Sequence, residues 1–285
     1  MLNSLYDPLI ASTFALLASL LWGLGGFFAG QASRRGPLIP ILTLDIFFGL
    51  LLITPIALLN AQNFTLRDFL IGGFAGIFGI VGGGFLYLGL KNSLMVSVIP
   101  VSGVIGALLP VIWGLAVGEN LSLTQSIGIL VGLISILLVS GFSLQIFNQP
   151  ISGLKNALFS GFGFGGFFIV IEYTDSSTEP WAAVSGRLFP IIILLLLMGS
   201  TRNFSLPKKS LLPLVLGAGL TNAGAGLCFL YAVNRGLLSV SSMLSSLFPA
   251  VTVILARAFL NEKLSRNQVL GVIGAVLSMS LVAYG

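Results

Sequence analysis

Apolar residues run in stretches of about 20 along nearly the whole chain, and short polar or helix-breaking segments interrupt them. The interruptions fall at Arg34-Arg35-Gly36-Pro37, Asn60 to Asp68, Lys91-Asn92, Glu119-Asn120 and Asn148 to Gly153. They continue at Asp175 to Pro180, Ser200 to Ser210, Asn234-Arg235-Gly236 and Asn261 to Lys263. A helix needs about 20 apolar residues to cross a bilayer. The pattern therefore predicts ten spanning helices, over residues 9–31, 37–59, 69–90, 94–117, 122–146, 154–174, 180–199, 211–233, 237–260 and 265–285. The third and fourth spans, and the fourth and fifth, are joined tightly enough to form hairpins.

The second half of this pattern repeats the first. Phe85-Leu86-Tyr87 recurs as Phe229-Leu230-Tyr231, 144 residues later. Glu119-Asn120-Leu121-Ser122 recurs as Glu262-Lys263-Leu264-Ser265 at an offset of 143. Gly23-Leu24-Gly25-Gly26-Phe27-Phe28 recurs as Gly163-Phe164-Gly165-Gly166-Phe167-Phe168 at an offset of 140. Three blocks in one order at nearly one offset point to duplication. The copies occupy residues 9–146 and 154–285 of a single transmembrane domain spanning 1–285. Each copy crosses five times, an odd number, so the second enters the membrane from the opposite side. The expected fold is all-α: ten helices in two inverted five-helix repeats, with the substrate site near the midplane between them.

Composition agrees. The chain is 56% hydrophobic and 7% charged, against about 25% charge in a soluble domain. Its net charge of +5 is scattered between apolar runs, which is no nucleic-acid footprint and suits anionic lipid. The single cysteine, Cys228, lies in an apolar run and cannot form an internal disulfide. Histidine is absent, which excludes histidine proton relays, histidine metal sites and any catalytic arrangement built on that residue. No P-loop is present, and no cofactor or metal is expected. The chain is not expected to be an enzyme. The first apolar run lacks a signal peptide's basic flank and cleavage site, so it is expected to stay as a helix.

Charge inside a span costs about 2.5–3.5 kcal/mol on insertion scales and marks function by default. Asp45 lies within the second span and Arg187 within the seventh, at equivalent positions of the repeat. They either face one cavity or pair directly. Trp22, Tyr87, Asn222 and Tyr231 lie deep enough to line a pathway beside them. Trp113 and Trp181 fit interfacial anchors. Lys91 and Arg235 match across the repeat and complement helix dipoles, while Glu119 and Glu262 read as turn and helix-start residues. Glu172 lies near the end of the sixth span. Without histidine, a coupling proton would ride on Asp45 or Glu172. Pro100, Pro110, Pro190 and Pro249 lie within spans and read as static kinks.

The Trp22-Gly23 start, Tyr87-Leu88-Gly89-Leu90-Lys91, and Gly118-Glu119-Asn120-Leu121-Ser122 followed by Gly128 resemble the EamA-type members of the drug/metabolite transporter superfamily. The second copy carries Tyr231 to Arg235, Pro249, and Asn261-Glu262-Lys263-Leu264-Ser265 followed by Gly271. The resemblance covers essentially the whole chain. It implies ten helices around a central cavity, peripheral fifth and tenth helices, and export or exchange of small metabolites. The chain departs from the pattern in three places. Asp45 stands where the first copy often has Arg, Gly106 stands where a Pro is expected, and Gln31 replaces a basic residue.

The expected function is secondary active transport of a small molecule by alternating access, with a proton or counter-substrate as the possible partner. A passive facilitator or channel of the same fold is the alternative. The expected location is a bacterial-type cell (inner) membrane. Loop charge decides orientation. The odd loops hold Arg34, Arg35, Lys91, Lys155, Arg202, Lys208, Lys209, Lys263 and Arg266, and the even loops hold Arg67 and Arg235. This count places the odd loops in the cytoplasm and both termini outside, whereas the resemblance implies termini inside. In a Cys228→Ala background, Arg34→Cys and Lys208→Cys are expected to resist an impermeant thiol reagent in intact cells. Labelling from outside would establish the family orientation.

Overall fold

The computed structural model describes residues 7–60, 63–92, 95–141, 151–201, 206–260 and 263–285. Among the described residues every regular element is a helix. The first repeat holds α1 (Pro8–Ser33), α2 (Leu38–Asn60), α3 (Leu66–Asn92), α4 (Met95–Ala116) and α5 (Leu123–Val139). The second holds α6 (Ile151–Ile171), α7 (Glu179–Thr201), α8 (Leu212–Val233), the pair α9 (Leu238–Ser245) and α10 (Phe248–Leu260), and α11 (Arg266–Tyr284). Counting α9 with α10 as one span, eight helices are long and apolar enough to cross a membrane. The shorter apolar stretches Val101–Ala116 of α4 and Leu123–Val139 of α5 complete the ten in the predicted order.

The two copies start their last helices in the same way. Ser122 caps α5 in a reciprocal box with Gln125, and Ser265 caps α11 with Gln268. These are the serines of the repeated Glu-Asn-Leu-Ser and Glu-Lys-Leu-Ser blocks. The polar side chains occupy backbone groups that would otherwise meet the headgroup region without partners.

The dominant interfaces each join one helix of the first copy to one of the second. α1 packs on α8 as α6 packs on α3. α2 packs on α8 as α7 packs on α3, and α4 packs on α6 as the α9–α10 pair packs on α1. α2 with α7, and α5 with α11, are their own counterparts. Exchanging the copies thus returns the same set of contacts, the behaviour of a pseudo-two-fold axis. Small residues make this possible: Ala15, Ala18, Ala225 and Ala232 are buried, while Leu51, Leu130, Leu196 and Val276 stand exposed on the outside. Lipid is as apolar as leucine, so close van der Waals packing holds such helices together.

The side on which α1 begins, the terminal face, gathers α1, α3, α5, α7 and α9 starts. The other side, the basic face, gathers the starts of α2, α4, α6, α8 and α11. Among the described residues, the acidic Asp7, Asp68, Glu119, Glu172, Asp175 and Glu179 lie at the terminal face, with only Arg67 and Arg235 to oppose them. Arg34, Arg35, Lys208, Lys209, Lys263 and Arg266 lie at the basic face.

One span departs from the expected continuous helix. The segment predicted over 237–260 breaks at Ser246-Leu247 into α9 and α10. Ser246 N–H still donates to the Ser242 carbonyl at 2.9 Å, but Leu247 N–H turns to Leu244 at 3.3 Å and Ala250 N–H to Leu247 at 3.0 Å. Pro249 has no N–H to offer Ser245. Gly106 occupies the equivalent place in the first copy, and α4 runs through it unbroken. α9 is buried on every side, and two of its hydroxyls lean on neighbouring helices: Ser239 Oγ donates to the Val111 carbonyl of α4 at 3.3 Å and Ser245 Oγ to the Ala15 carbonyl of α1 at 3.2 Å. Below the break, Thr252 Oγ1 on α10 donates to the Gly23 carbonyl at 3.1 Å. Breaks of this kind are tolerated at membrane depth where protein covers the backbone.

Gly76 of α3 lies directly against the Gly186 backbone of α7, where a Cβ would overlap main-chain atoms. A Cβ on Gly83 would meet nothing. Gly76→Ala is expected to destabilise the bundle by about 1–3 kcal/mol through overpacking. Gly83→Ala is expected to be neutral or to gain up to about 1 kcal/mol of helix propensity. Thermal unfolding of the two variants in detergent compares them directly.

Candidate functional site

Near the middle of the bundle three polar side chains from both copies meet. Asn222 of α8 donates to Asp45 Oδ2 of α2 at 2.9 Å. Arg187 of α7 places Nη1 3.9 Å from Asp45 Oδ1. All three helices are apolar; Asp45 is buried and Arg187 partly buried. The separation makes an ion pair but no hydrogen bond, and Asp45 Oδ1 is buried with no donor. Glycines make the room. A Cβ on Gly25 of α1 would overlap the Asn222 amide, and one on Gly49 of α2 would overlap the Arg187 guanidinium. Opposite charges thus neutralise each other without being locked together.

Trp22 and Tyr231 lie apart from this triad, nearer the terminal face. The Trp22 ring lies 5.7 Å from Phe168 and 5.8 Å from Phe229, and those two rings are 4.5 Å apart. Trp22 stands one helical turn from Gly25, so this aromatic layer sits between the triad and the terminal face. Tyr231 packs edge-on against Phe14 at 5.3 Å and lies under the Arg235 guanidinium at 5.0 Å. Tyr87 lies on α3, and its side chain is outside the described residues.

Above the aromatic layer, charged residues tie the terminal face together across the two copies and between helices. Glu119, in the α4–α5 turn, accepts N–H groups from Leu238 at 2.5 Å and Ser239 at 3.0 Å. It therefore caps α9 of the second copy, not the helix that follows it in sequence. Arg235 bonds Glu179 Oε1 at 2.5 Å and the Tyr231 carbonyl at 3.0 Å, and Asn234 donates to the same Glu179 oxygen at 3.0 Å. Arg235 does answer the C-terminal end of α8, as expected for a helix-dipole partner, and it also holds the start of α7. Asp68 accepts from Thr178 at 2.7 Å. An open recess of about 490 Å³ between Asn63, Arg67, Asp68, Asp175 and Thr178 lies at this face, away from the triad. Trp113 donates its indole N–H to the Tyr173 hydroxyl at 3.0 Å, which ties an expected interfacial anchor to the α6–α7 loop.

The sequence profile of the EamA-like transporter family matches residues 9–141 and again 151–284. The chain belongs to the EamA-like transporter family. It is accordingly a multi-pass integral membrane protein of a family that moves small molecules. Over 133 residues it is 28% identical to an uncharacterized protein of Methanocaldococcus jannaschii. That match takes up 47% of this chain and 94% of the relative, which is therefore about the length of one repeat. A crystal structure with 16% identity superposes with a TM-score of 0.79, over 95% of this chain and 97% of that one. At that identity the likeness concerns the fold.

Within this EamA-like frame, the structure brings Asp45, Arg187 and Asn222 together and sets Trp22 and Tyr231 in a separate layer. The terminal-face network was not expected. Its one trace in the sequence is the run of acids Glu172, Asp175 and Glu179 opposite Arg67 and Arg235. The reach of Glu119 to α9 has no local signal at all.

Breaking a buried pair by removing one partner typically costs about 3–5 kcal/mol, because a charge is left without compensation. Asp45→Asn and Arg187→Gln are each expected to lower the unfolding temperature in detergent. The double variant is expected to recover most of that loss. A double variant as unstable as the sum of the singles would show that the two residues act separately.

Proposed function

We propose that this chain is a secondary active transporter of a small polar metabolite, working by alternating access and exporting or exchanging its substrate. We further assign it to a bacterial-type cell membrane with the basic face toward the cytoplasm. Transport, not catalysis, is the activity assigned. The observation that carries the reading is the Asp45–Arg187 pair. It is buried within the spans and joins α2 of one copy to α7 of the other. A pair of this kind offers a cation and an anion to a substrate that can replace either partner. Its 3.9 Å separation leaves Asp45 Oδ1 ready to accept a donor. In inverted-repeat transporters the substrate lies at this depth between the copies. The aromatic layer of Trp22, Phe168 and Phe229 supports the same reading, because it covers the pair from the terminal face. Driving force then comes from a proton or a counter-substrate, with Asp45 the residue at the pair that can take up a proton.

Purified protein in proteoliposomes, screened against a broad metabolite panel, tests this. Alternating access gives saturable uptake that accelerates when the lumen is preloaded with the same compound. A passive facilitator or channel gives flux without that acceleration. In a folded Asp45→Asn protein, gradient-driven accumulation is expected to be lost while exchange is retained. Unchanged pH-driven uptake would remove Asp45 from the mechanism.

A further inference from the structure

The terminal half of the bundle is shut and the basic half is parted. The repeat gives each inward position near one face an equivalent near the other. Ala225, Phe229 and Ala232 of α8 are fully buried. Their equivalents on α3, 144 residues earlier, are Val81, Phe85 and Leu88. Phe85 is partly exposed, and Val81 and Leu88 stand 39% and 47% exposed. Ala15, Ala18 and Ser19 of α1 are buried, whereas Lys155, Leu158 and Phe159 of α6, 140 residues later, are exposed. Val111 of α4 is buried, and Ile254 of α10, 143 residues later, is exposed. Equivalent positions of an inverted repeat share one orientation toward the bundle. The exposed set therefore borders a gap between helices, not lipid. Lys155 belongs to that set, and a cation there calls for water.

The aromatic layer shows the same contrast. Trp22, Phe168 and Phe229 close over the Asp45–Arg187 pair from the terminal face, with Phe168 and Phe229 4.5 Å apart. Their equivalents in the other copy are Phe162, Phe28 and Phe85, so all three places are aromatic again. Trp22 stands one turn to the terminal side of Gly25, and Phe28 stands one turn to its basic side. Among the described residues no ring contact joins Phe28, Phe85 and Phe162. Phe85 stacks on Phe159 at 5.1 Å, Phe28 lies against Phe27 and Gly217 of α8, and Phe162 is 55% exposed. Cβ atoms on Gly83 and Gly84, beside Phe85, would meet nothing. The rings of a second lid are present, but apart.

We propose that Phe28, Phe85 and Phe162 form a second aromatic gate, which closes over the Asp45–Arg187 pair from the basic face when the Trp22–Phe168–Phe229 layer parts. In this structure the terminal gate is shut and the basic gate open, so the pair is reached from the basic face. α1 carries a ring of each gate, Trp22 and Phe28, and α6 does the same with Phe168 and Phe162. Six residues separate the two rings on each helix. A rocking of α1 and α6 that brings one set together therefore draws the other apart. Both closures bury nearly the same rings, with Trp22 against Phe162 as the one difference in residue type. Their energies are then close, and a small differential interaction shifts the population. The consequence for transport rests on the alternating-access reading, but the gates are observable without substrate.

Thiol labelling of the full-length protein in nanodiscs, in a Cys228→Ala background, tests it. Leu88→Cys reports the basic gap and Ala232→Cys its terminal equivalent. A hydrophilic maleimide reacts with the thiolate, which forms in water and not in lipid. Leu88→Cys is expected to react at least about tenfold faster than Ala232→Cys. A Leu88→Cys protein that reacts no faster overturns the proposal. Linkage of the gates is read at Phe162, which is exposed, so its variants leave the packing intact. Phe162→Trp matches the terminal layer and is expected to slow Leu88→Cys and quicken Ala232→Cys, each by at least about twofold. Phe162→Ala is expected to leave Leu88→Cys fast. A Phe162→Trp protein that leaves the Leu88→Cys rate unchanged, or slows it without quickening Ala232→Cys, overturns the proposal too. Opposed rate changes in a protein that carries no compound of the metabolite panel support the gates and count against the transport reading instead.

Discussion

Hydrocarbon offers no hydrogen bonds, so each polar group drawn into the bundle must find its partner in the protein. The rest of the structure follows from how that demand is met. Regular helices satisfy most of the backbone internally. The exceptions are met across the boundary between the copies. The α9 amides rest on Glu119, the Ser239 hydroxyl on the backbone of α4, the Ser245 hydroxyl on the backbone of α1, and Asp45 on Arg187 and Asn222. These contacts add direction to an interface that is otherwise alanine and glycine. In lipid such packing holds helices together without a hydrophobic drive, so directional contacts select which arrangement of the two copies is populated.

The duplication is close but incomplete, and the departures coincide with the polar contacts. Pro249 against Gly106 breaks one span and leaves its counterpart whole. Asp45 against Arg187 puts unlike charges at matched places, so the pseudo-two-fold axis brings opposites together where a perfect repeat would bring like charges together. Glu179 has Pro37 at the equivalent position 142 residues earlier, so the Glu179–Arg235 bond has no twin at the basic face.

Layering along the bundle follows from the same departures. The charged network at the terminal face lies over an aromatic layer, and that layer lies over the central pair. Each level excludes water from the next, and low local polarity strengthens the electrostatics below it.

The sequence by itself determined the class, the ten spans, the doubling and the pairing of Asp45 with Arg187 as equivalent positions. These features are periodic or local: span length is set by bilayer thickness, and equivalence by a nearly constant offset. The turns before α5 and α11 were read from Glu119 and Glu262, while the helix-starting boxes there are those of Ser122 with Gln125 and Ser265 with Gln268. What tertiary structure alone decided was which distant groups meet. Nothing local distinguishes a Glu119 that caps its own following helix from one that reaches α9, more than a hundred residues away. Asn222 read as pathway lining near Asp45, but the hydrogen bond between them exists only once α8 packs on α2, and Trp22 read as cavity lining until α6 and α8 closed Phe168 and Phe229 around it. The break at Ser246-Leu247 combines a missing N–H at Pro249 with a neighbour, α1, whose carbonyls accept the Ser245 and Thr252 hydroxyls on either side of it. The first of these is written in the chain, and the second exists only once the two copies interlock.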